Sequence, residues 1–294
     1  MKPRSLILDL FGDYLRYVGS EARAGDLVSL LGLMGVEPPT VRMTLSRLKA
    51  EGWFTTVRSG RETSYRLSDE ILSVLDEGRR RIFAAYQDDW DGWWTQVVFQ
   101  MPEGDRATKE QLKKRLAWLG FGPVSPSTWI SPRAIGDDAT GLIGEFPAAS
   151  IDVLRARTDD DAADRDLARR CWDLDSINAD YTSFIDGHSE LASRAHRLAG
   201  EAALVARIEI VSTYRHFPFR DPALPVPLRP AGWRGAEAHA LFLEIHGTLA
   251  EAATQYVSTV IREHGLVAPA GALPSRLPPS VARVSEGVGE RCRF

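Results

Sequence analysis

The sequence predicts a multidomain α+β protein, and three observations support this. The chain has 294 residues, more than one ordinary hydrophobic core requires and a suitable length for two or three domains. Apolar residues recur at helical spacing near both ends of the chain. Between those helical regions, short apolar runs alternate with turns, a pattern typical of strands packed against helices. We therefore expect separate cores of mixed secondary structure.

The first 68 residues are expected to form a winged helix-turn-helix, in which three short helices precede a two-stranded hairpin. The third helix starts at a pair of prolines, carries one apolar stripe formed by Val41, Leu45 and Leu48, and ends before Gly52. A turn glycine between basic residues separates the two strands. The predicted elements are helices over Ser5–Tyr17, Ala24–Leu33 and from Pro38, and strands over Trp53–Val57 and Thr63–Leu67.

Charge is distributed unevenly in a way that favours a DNA-binding surface in this segment. The whole chain carries a net charge of -4, but Pro38–Arg66 holds six cations and two anions, a net charge of +4. The outward residues of a third helix can reach base edges or phosphates in the major groove, and a basic hairpin can reach the phosphate backbone. The predicted contacts to double-stranded operator DNA are Thr40, Arg42, Met43, Ser46, Arg47, Lys49, Arg58, Ser59, Gly60 and Arg61. A solvated amphipathic helix with ordinary surface arginines is the alternative.

The rest of the chain is divided into a linking helix, a middle domain and a helical domain. The linking segment spans 69–91, and residues 92–160 are expected to form a ferredoxin-like β-α-β-β-α-β sandwich whose first helix starts at a capping box of Thr108 and Gln111. Residues 161–265 are expected to be helical, interrupted by a stiff strap over Phe217–Trp233 that contains five prolines. Residues 266–294 are expected to be a flexible tail. The predicted helices are Asp166–Leu174, Ile177–Ile185, Glu190–Tyr214 and Gly235–His264.

Several classes of protein are disfavoured by the composition. The apolar start of the chain is interrupted by Asp9, Asp13 and Arg16, so we expect neither a signal peptide nor a membrane span. Two cysteines suit a reducing compartment and neither a disulfide scaffold nor a four-ligand zinc site, so the cytoplasm is expected. His239 and His246 have no partner at convincing ligand spacing, and no serine lies in a G-x-S-x-G setting. We expect no metal, no cofactor and no catalysis.

Short segments in a fixed order along the chain carry a resemblance to a known family. They are Leu10–Tyr14, Thr40–Leu48, Gly52–Trp53, Gly60–Arg61, Tyr65–Leu67, Trp90–Trp94, Gly120–Gly122, Trp129–Pro132, Tyr214–Pro218, Asp221–Pro225 and Pro230–Ala238. These segments resemble the PaaX family of phenylacetate-catabolism repressors. The resemblance extends to about His264, and it implies a dimeric repressor with a winged helix, a ferredoxin-like middle domain and a helical C-terminal domain. It further implies release from the operator by phenylacetyl-CoA or a related aryl-CoA.

An acyl-CoA effector needs cations for its phosphates and an aromatic slot for its acyl group, and the residues around the strap offer both. The predicted effector-binding residues are Trp129, Arg133, Arg207, Tyr214, Arg215, His216 and Arg220. The alternative is structural, with Tyr214 in a core and Arg215 paired with a carboxylate such as Asp221.

Three further points concern function. A palindromic operator requires a two-fold dimer, so we expect a homodimer. The main alternative function is a metal-dependent nuclease that uses the ferredoxin-like domain, with Asp88, Asp89 and Asp91 as its candidate carboxylates. A regulator without any small-molecule effector is a third possibility.

Overall fold

The computed structural model describes residues 2–18, 21–59, 62–84, 89–133 and 136–263, and within them the chain folds into two compact units. The first unit contains described residues of Met1–Phe83, Asp186–Arg215 and His239–Val288, and the second contains those of Ala84–Ile185 and His216–Ala238. The α-helices in these ranges are α1 Pro3–Asp13, α2 Ala24–Gly32, α3 Pro38–Ala50, α4 Asp69–Ile82, α5 Arg106–Trp118, α6 Gly136–Glu145, α7 Asp161–Cys171, α8 Leu174–Arg194, α9 Gly200–Tyr214, α10 Gly235–Thr248 and α11 Ala250–Glu263. The strands are β1 Glu21–Arg23, β2 Phe54–Ser59, β3 Glu62–Leu67, β4 Trp94–Gln100, β5 Gly122–Ser125, β6 Thr128–Ser131 and β7 Ser150–Ala156.

The first unit combines a small antiparallel sheet with helices from both ends of the chain. The sheet has the strand order β1-β3-β2, and α1 packs against α2, α3 and α9. The rings of Phe11 and Phe54 lie 5.0 Å apart and join α1 to the sheet. Two prolines open α3, and Gly52, with φ +80°, takes the left-handed conformation that ends it. The third helix therefore lies where the sequence predicts it.

The second unit contains the other sheet, whose elements follow one another as β4, α5, β5, β6, α6 and β7. All pairs are antiparallel and the strand order is β5-β6-β4-β7. Side chains alternate across β4, so Val97 and Phe99 pack against Leu112 and Leu116 of α5, while Trp94 faces a different core. The expected mixed α+β class is confirmed by these two antiparallel sheets and the helices around them.

The first helix of the second unit begins earlier than the sequence predicts. Thr108 does not cap α5; the carboxylate of Asp105 accepts a hydrogen bond from the Thr108 backbone N–H at 3.1 Å, and the helix starts at Arg106. Asp105 and Thr108 are both good caps, and the Asp105 carboxylate accepts from the Thr108 N–H, which the predicted capping box would have paired with the Gln111 side chain.

Two long helices predicted near the C-terminus are each broken. The run predicted over Glu190–Tyr214 contains the end of α8, a 3-10 turn at Ala195–Arg197 and then α9, which starts at Gly200 with φ +55°. The run predicted over Gly235–His264 divides between α10 and α11 at Leu249, which is fully buried. Buried residues lie at both breaks, so the apolar periodicity of the sequence continues across each break. The sequence pattern therefore does not show that either helix is interrupted.

The proline-rich strap is not extended throughout. It contains 3-10 turns at Phe217–Phe219 and Val226–Leu228, and Leu224 and Leu228 are buried in the core around Trp94. The predicted borders at 68, 91, 160 and 265 stay predictions, and the predicted tail 266–294 lies outside the described residues. No described helix is both long enough and apolar enough to cross a membrane.

Candidate nucleic-acid interface

The outward face of α3 presents polar and cationic side chains to solvent. Val41, Leu45 and Leu48 point into the core, as the sequence predicts, and anchor the helix. Thr40 is half-buried at the start of the helix. The predicted contact residues that are exposed on this helix are Arg42, Met43, Ser46, Arg47 and Lys49. A helix that is well anchored and carries three cations on its outward face is suited to entering a groove of DNA.

Four cations on α3 and β2 differ from others in the first unit because no carboxylate partner is found for them among the described residues. The guanidinium of Arg4 pairs with Glu51 at 2.7 Å, and that of Arg66 pairs with Glu21 at 2.8 Å. Within the part of the chain that the structure describes, no ion pair is found for the following cations: Arg42, Arg47, Lys49 and Arg58. These four charges therefore remain available to phosphates or bases.

The hairpin lies beside α3 in sequence and is anchored in the same unit. Strands β2 and β3 pair in antiparallel register, with Arg58 opposite Thr63 and Ser59 opposite Glu62, and the Arg58 side chain is exposed. Gly60 and Arg61, at the predicted tip, lie outside the described residues, and for Ser59 only the backbone is described. The prediction of a basic hairpin can therefore be compared with the structure for the two strands but not for the tip that joins them.

The first unit also encloses a buried ionic cluster that ties α1 to the C-terminal helices. The cluster, here the Asp13 cluster, consists of Asp13 with Arg79, Arg207 and His246. The Asp13 carboxylate lies 3.1 Å from His246 Nε2, 3.3 Å from Arg207 and 3.5 Å from Arg79. Arg207 also lies 2.8 Å from His246 Nε2 and stacks over the ring of Tyr14 at 5.0 Å.

The charges in the Asp13 cluster decide its ionisation. Burial alone would raise the pKa of Asp13, but the opposing effects of His246, Arg207 and Arg79 are larger and hold that pKa well below its usual range. Burial lowers the pKa of His246. Asp13 is therefore a buried carboxylate stabilised by the basic side chains around it.

One helical turn earlier, Asp9 forms a second buried pair. Its carboxylate lies 3.1 Å from Nε of Arg215. Burial raises the pKa of Asp9 to about 6, although Arg215 and a hydrogen bond from Ser212 act in the opposite direction. The structural alternative for Arg215 is thus correct in kind but not in partner, because Arg215 pairs with Asp9, whereas Asp221 accepts a hydrogen bond from the Tyr181 hydroxyl at 2.7 Å.

The seven residues predicted to bind an effector are shared between the two units. Arg207, Tyr214 and Arg215 belong to the first unit, where Tyr214 stacks on Phe242 with ring centroids 4.2 Å apart. All three side chains already contact other residues in the interior of that unit. Their assignment to an effector site stays a prediction.

The other four residues belong to the second unit, where their side chains have different surroundings. Trp129 is buried among the core residues of the sheet, and Arg133 donates to the Leu119 carbonyl at 3.3 Å. His216 is exposed at the start of the first 3-10 turn of the strap. Arg220 is exposed and pairs with Asp180 of α8. Of the seven, His216 and Arg220 are the most accessible to a ligand.

Among the carboxylates considered for a nuclease, Asp91 has a partner for each of its two oxygens. Asp91 pairs with Arg155 at 2.6 Å and accepts a hydrogen bond from the Trp93 backbone N–H at 3.0 Å. Asp88 lies outside the described residues. Among those that are described, no group of three or more histidine, cysteine, aspartate or glutamate side chains could hold a metal ion.

The buried ion pairs of Asp9 and Asp13 were not predicted from the sequence, in which both residues only argued against a membrane span. The signal was present, because two acids four residues apart in an otherwise apolar helix lie on one face and must find buried partners. The identity of those partners was not predictable, since His246 is 233 residues away from Asp13.

Comparisons with known proteins match the chain along most of its length. Family models match residues 2–71 as a PaaX-like protein, 87–168 as the central Cas2-like domain of PaaX proteins, and 172–259 as a PaaX-like C-terminal domain. The chain is 35% identical over 267 residues to the transcriptional repressor PaaX of Escherichia coli strain K12, covering 86% of this chain and 82% of that protein. The chain belongs to the PaaX family. The family resemblance predicted from the sequence is therefore confirmed.

A solved structure supports the fold of this PaaX-family chain. The structure of the uncharacterized Mycobacterium tuberculosis protein Rv0674 is similar, with a TM-score of 0.61 and 23% identity over 88% of this chain and 98% of that one. The PaaX-like match at 2–71 contains α3 and both hairpin strands, so the exposed cations lie in a segment that the family model recognises.

Proposed function

We propose that this PaaX-family chain is a cytoplasmic transcriptional repressor that binds double-stranded operator DNA. In this proposal, α1 to α3 and the β2–β3 hairpin act as a winged helix-turn-helix, with α3 in the major groove and the hairpin against the phosphate backbone. The elements β4 to β7 act as a ferredoxin-like sandwich. The named repressor among its relatives supports the regulatory role.

The observation that carries the proposal is the set of exposed cations on α3 and β2 that lack carboxylate partners in the described chain. A net charge of -4 gives no overall attraction between the protein and DNA. Local cations must therefore supply the attraction, and arginine can also read guanine through two hydrogen bonds. A folding role does not explain these side chains, because the apolar stripe on the opposite side anchors α3.

The same proposal includes a homodimer and an effector. Two winged helices related by a two-fold axis match a palindromic operator, which a single copy cannot fill. The effector is an aryl acyl-CoA such as phenylacetyl-CoA, which relieves repression by binding the DNA-incompetent arrangement more tightly. No cofactor and no catalytic step are involved.

The ion pairs of the predicted effector-binding arginines make some of them better candidates than others for binding a phosphate. A CoA phosphate has to compete with Asp180 for Arg220, and exposed pairs of this kind are worth little. Competing with Asp13 for Arg207 would break a buried pair, which is costly. We therefore assign Arg220, with its neighbour His216, as the phosphate-binding part of the site.

The proposal is tested by fluorescence anisotropy with a labelled duplex from the region upstream of the coding sequence. Phenylacetyl-CoA should weaken binding about 5- to 150-fold, the range of ordinary allosteric coupling, and free CoA should not.

Variants test the assignment of Arg220. Release of the Arg220→Ala variant from the duplex should require a higher concentration of the thioester. The control Arg170→Ala removes an exposed, paired arginine of α7 and should behave like the parent. Absence of duplex binding would contradict the repressor role. Binding that no aryl-CoA changes would contradict only the effector.

A further inference from the structure

The exposed face of α3 contains one large apolar residue, Met43, which is 49% exposed. With 100° of rotation per residue, Met43 lies about 190° from the centre of the buried stripe formed by Val41, Leu45 and Leu48. It therefore occupies the crest of the outward face, where a solvated helix is normally polar. No packing role in the described fold accounts for it.

The neighbours of Met43 indicate what covers it. Arg47 lies one turn further along the same face, and Arg42 precedes Met43 directly; neither has an ion pair within the described residues. A partner that covers Met43 must therefore be anionic at its edges and apolar at its centre. The DNA major groove has this character, because it is lined by phosphates and presents the 5-methyl group of thymine as its apolar feature.

We propose that Met43 contacts the 5-methyl group of a thymine and thereby selects a T·A pair in each half-site. The inference rests on the proposed DNA-binding function and deepens it. Four residues of helix advance ~6 Å, close to two base-pair steps of ~3.4 Å. The thymine should therefore lie within about two base pairs of the base or phosphate that Arg47 contacts.

The test removes the methyl group from the DNA and the side chain from the protein. Duplexes that the full-length protein binds are first selected from a random-sequence library. Each thymine of a selected site is then replaced in turn by deoxyuridine, which lacks only the 5-methyl group, and dissociation constants are measured. One position in each half-site should show binding about four-fold weaker, equivalent to ~0.8 kcal/mol for a buried group of that size.

Variants assign that methyl effect to a residue. The deoxyuridine penalty should disappear in Met43→Ala, persist in Met43→Leu, and persist in Leu243→Ala, a control on α10 whose side chain is 39% exposed. Met43→Gln should shift the preferred base at that position from thymine towards adenine, which glutamine can contact through two hydrogen bonds.

The outcomes separate this inference from the function on which it rests. If duplexes are selected but no thymine is sensitive, or the penalty survives in Met43→Ala, the thymine contact is wrong while DNA binding stands. If Met43→Ala retains the parent's pattern on DNA but sediments as a smaller species, Met43 belongs to an interface between copies and the inference is overturned. If no duplex is selected at all, the proposed function itself fails.

Discussion

Asp13 shows how a single buried carboxylate is maintained in this fold. Its side chain is 8% exposed, and three basic side chains surround it within 3.5 Å. An unpaired charge in that position would cost several kcal/mol, so the cations and the carboxylate depend on one another. This cluster joins α1 to α4, α9 and α10.

Removing the Asp13 carboxylate should strongly destabilise the first unit. Asp13→Ala leaves Arg207 buried without its anion, and we expect the free energy of unfolding to fall by about 3–5 kcal/mol. Asp180→Ala is the matched control, because it breaks the exposed pair with Arg220 and should cost less than about 1 kcal/mol. Urea unfolding of both variants measures the difference, and equal losses would show that burial of the Asp13 cluster has no energetic consequence.

The pKa of Asp9 predicts a pH dependence of stability. Its folded value of about 6 exceeds the ordinary 3.8, so the folded chain binds a proton more tightly than the unfolded chain. The stabilisation from this proton is fully present below about pH 4 and is lost as the pH rises through about 6. Asp13 acts in the opposite sense, since its lowered pKa gives stability that is lost in acid.

Asp9→Asn isolates the contribution of Asp9, because asparagine mimics the protonated acid at every pH. Relative to the parent, this variant should gain about 2 kcal/mol in unfolding free energy between pH 4.5 and pH 7. Urea titrations at the two pH values provide the measurement. Parallel pH profiles for parent and variant would mean that Asp9 is ionised throughout.

At the scale of elements, local signals predict α3 and the hairpin well and fail at helix breaks. Two prolines, one apolar stripe and Gly52 define α3 without help from distant residues. The break at Leu249 has no such signal, because that residue is buried and preserves the periodicity. The start of α5 was misassigned because Asp105 and Thr108 are both competent caps and only the folded geometry chooses between them.

Gly122, in β5, is required for close packing in the second unit. A Cβ atom there would lie 2.6 Å from the Trp172 ring and 2.8 Å from Cβ of Cys171. Gly122→Ala should therefore destabilise the protein by about 1–3 kcal/mol through overpacking. Gly141→Ala, in α6 with nothing within 4 Å, should stabilise it by about 0.5–1 kcal/mol. Thermal unfolding of the pair checks the contrast, and equal melting temperatures would refute it.

The cations of α3 and of the hairpin should have different effects on DNA binding. Arg47→Ala should cost about 1–3 kcal/mol on the selected site and relax base preference nearby, if Arg47 reads a base. Arg58→Ala should weaken all duplexes alike and flatten the dependence of log K on log salt by about one unit. Lys114→Ala, an exposed cation on α5, is the control. Parent-like binding by both arginine variants would contradict the docking of α3 and the hairpin.

At the scale of the whole molecule, the first unit is formed from segments far apart in the chain. Residues 186–215 and 239–263 join the described part of the first 83 residues in one compact body. Hydrophobic periodicity identifies each helix but carries no information about which distant helix completes its core. The partners of Asp9 and Asp13, and with them the interior of the first unit, could therefore not be predicted from the sequence.

The most direct test of the account compares the affinity of the protein for its own upstream duplex with that for a shuffled duplex of equal composition. Dissociation constants for both are measured over a series of salt concentrations. We expect the upstream duplex to bind at least about 10³-fold more tightly at physiological salt, with both affinities falling steeply as salt increases. Equal affinity for the two duplexes at every salt concentration, or no binding to either, would contradict the proposal that α3 reads operator DNA.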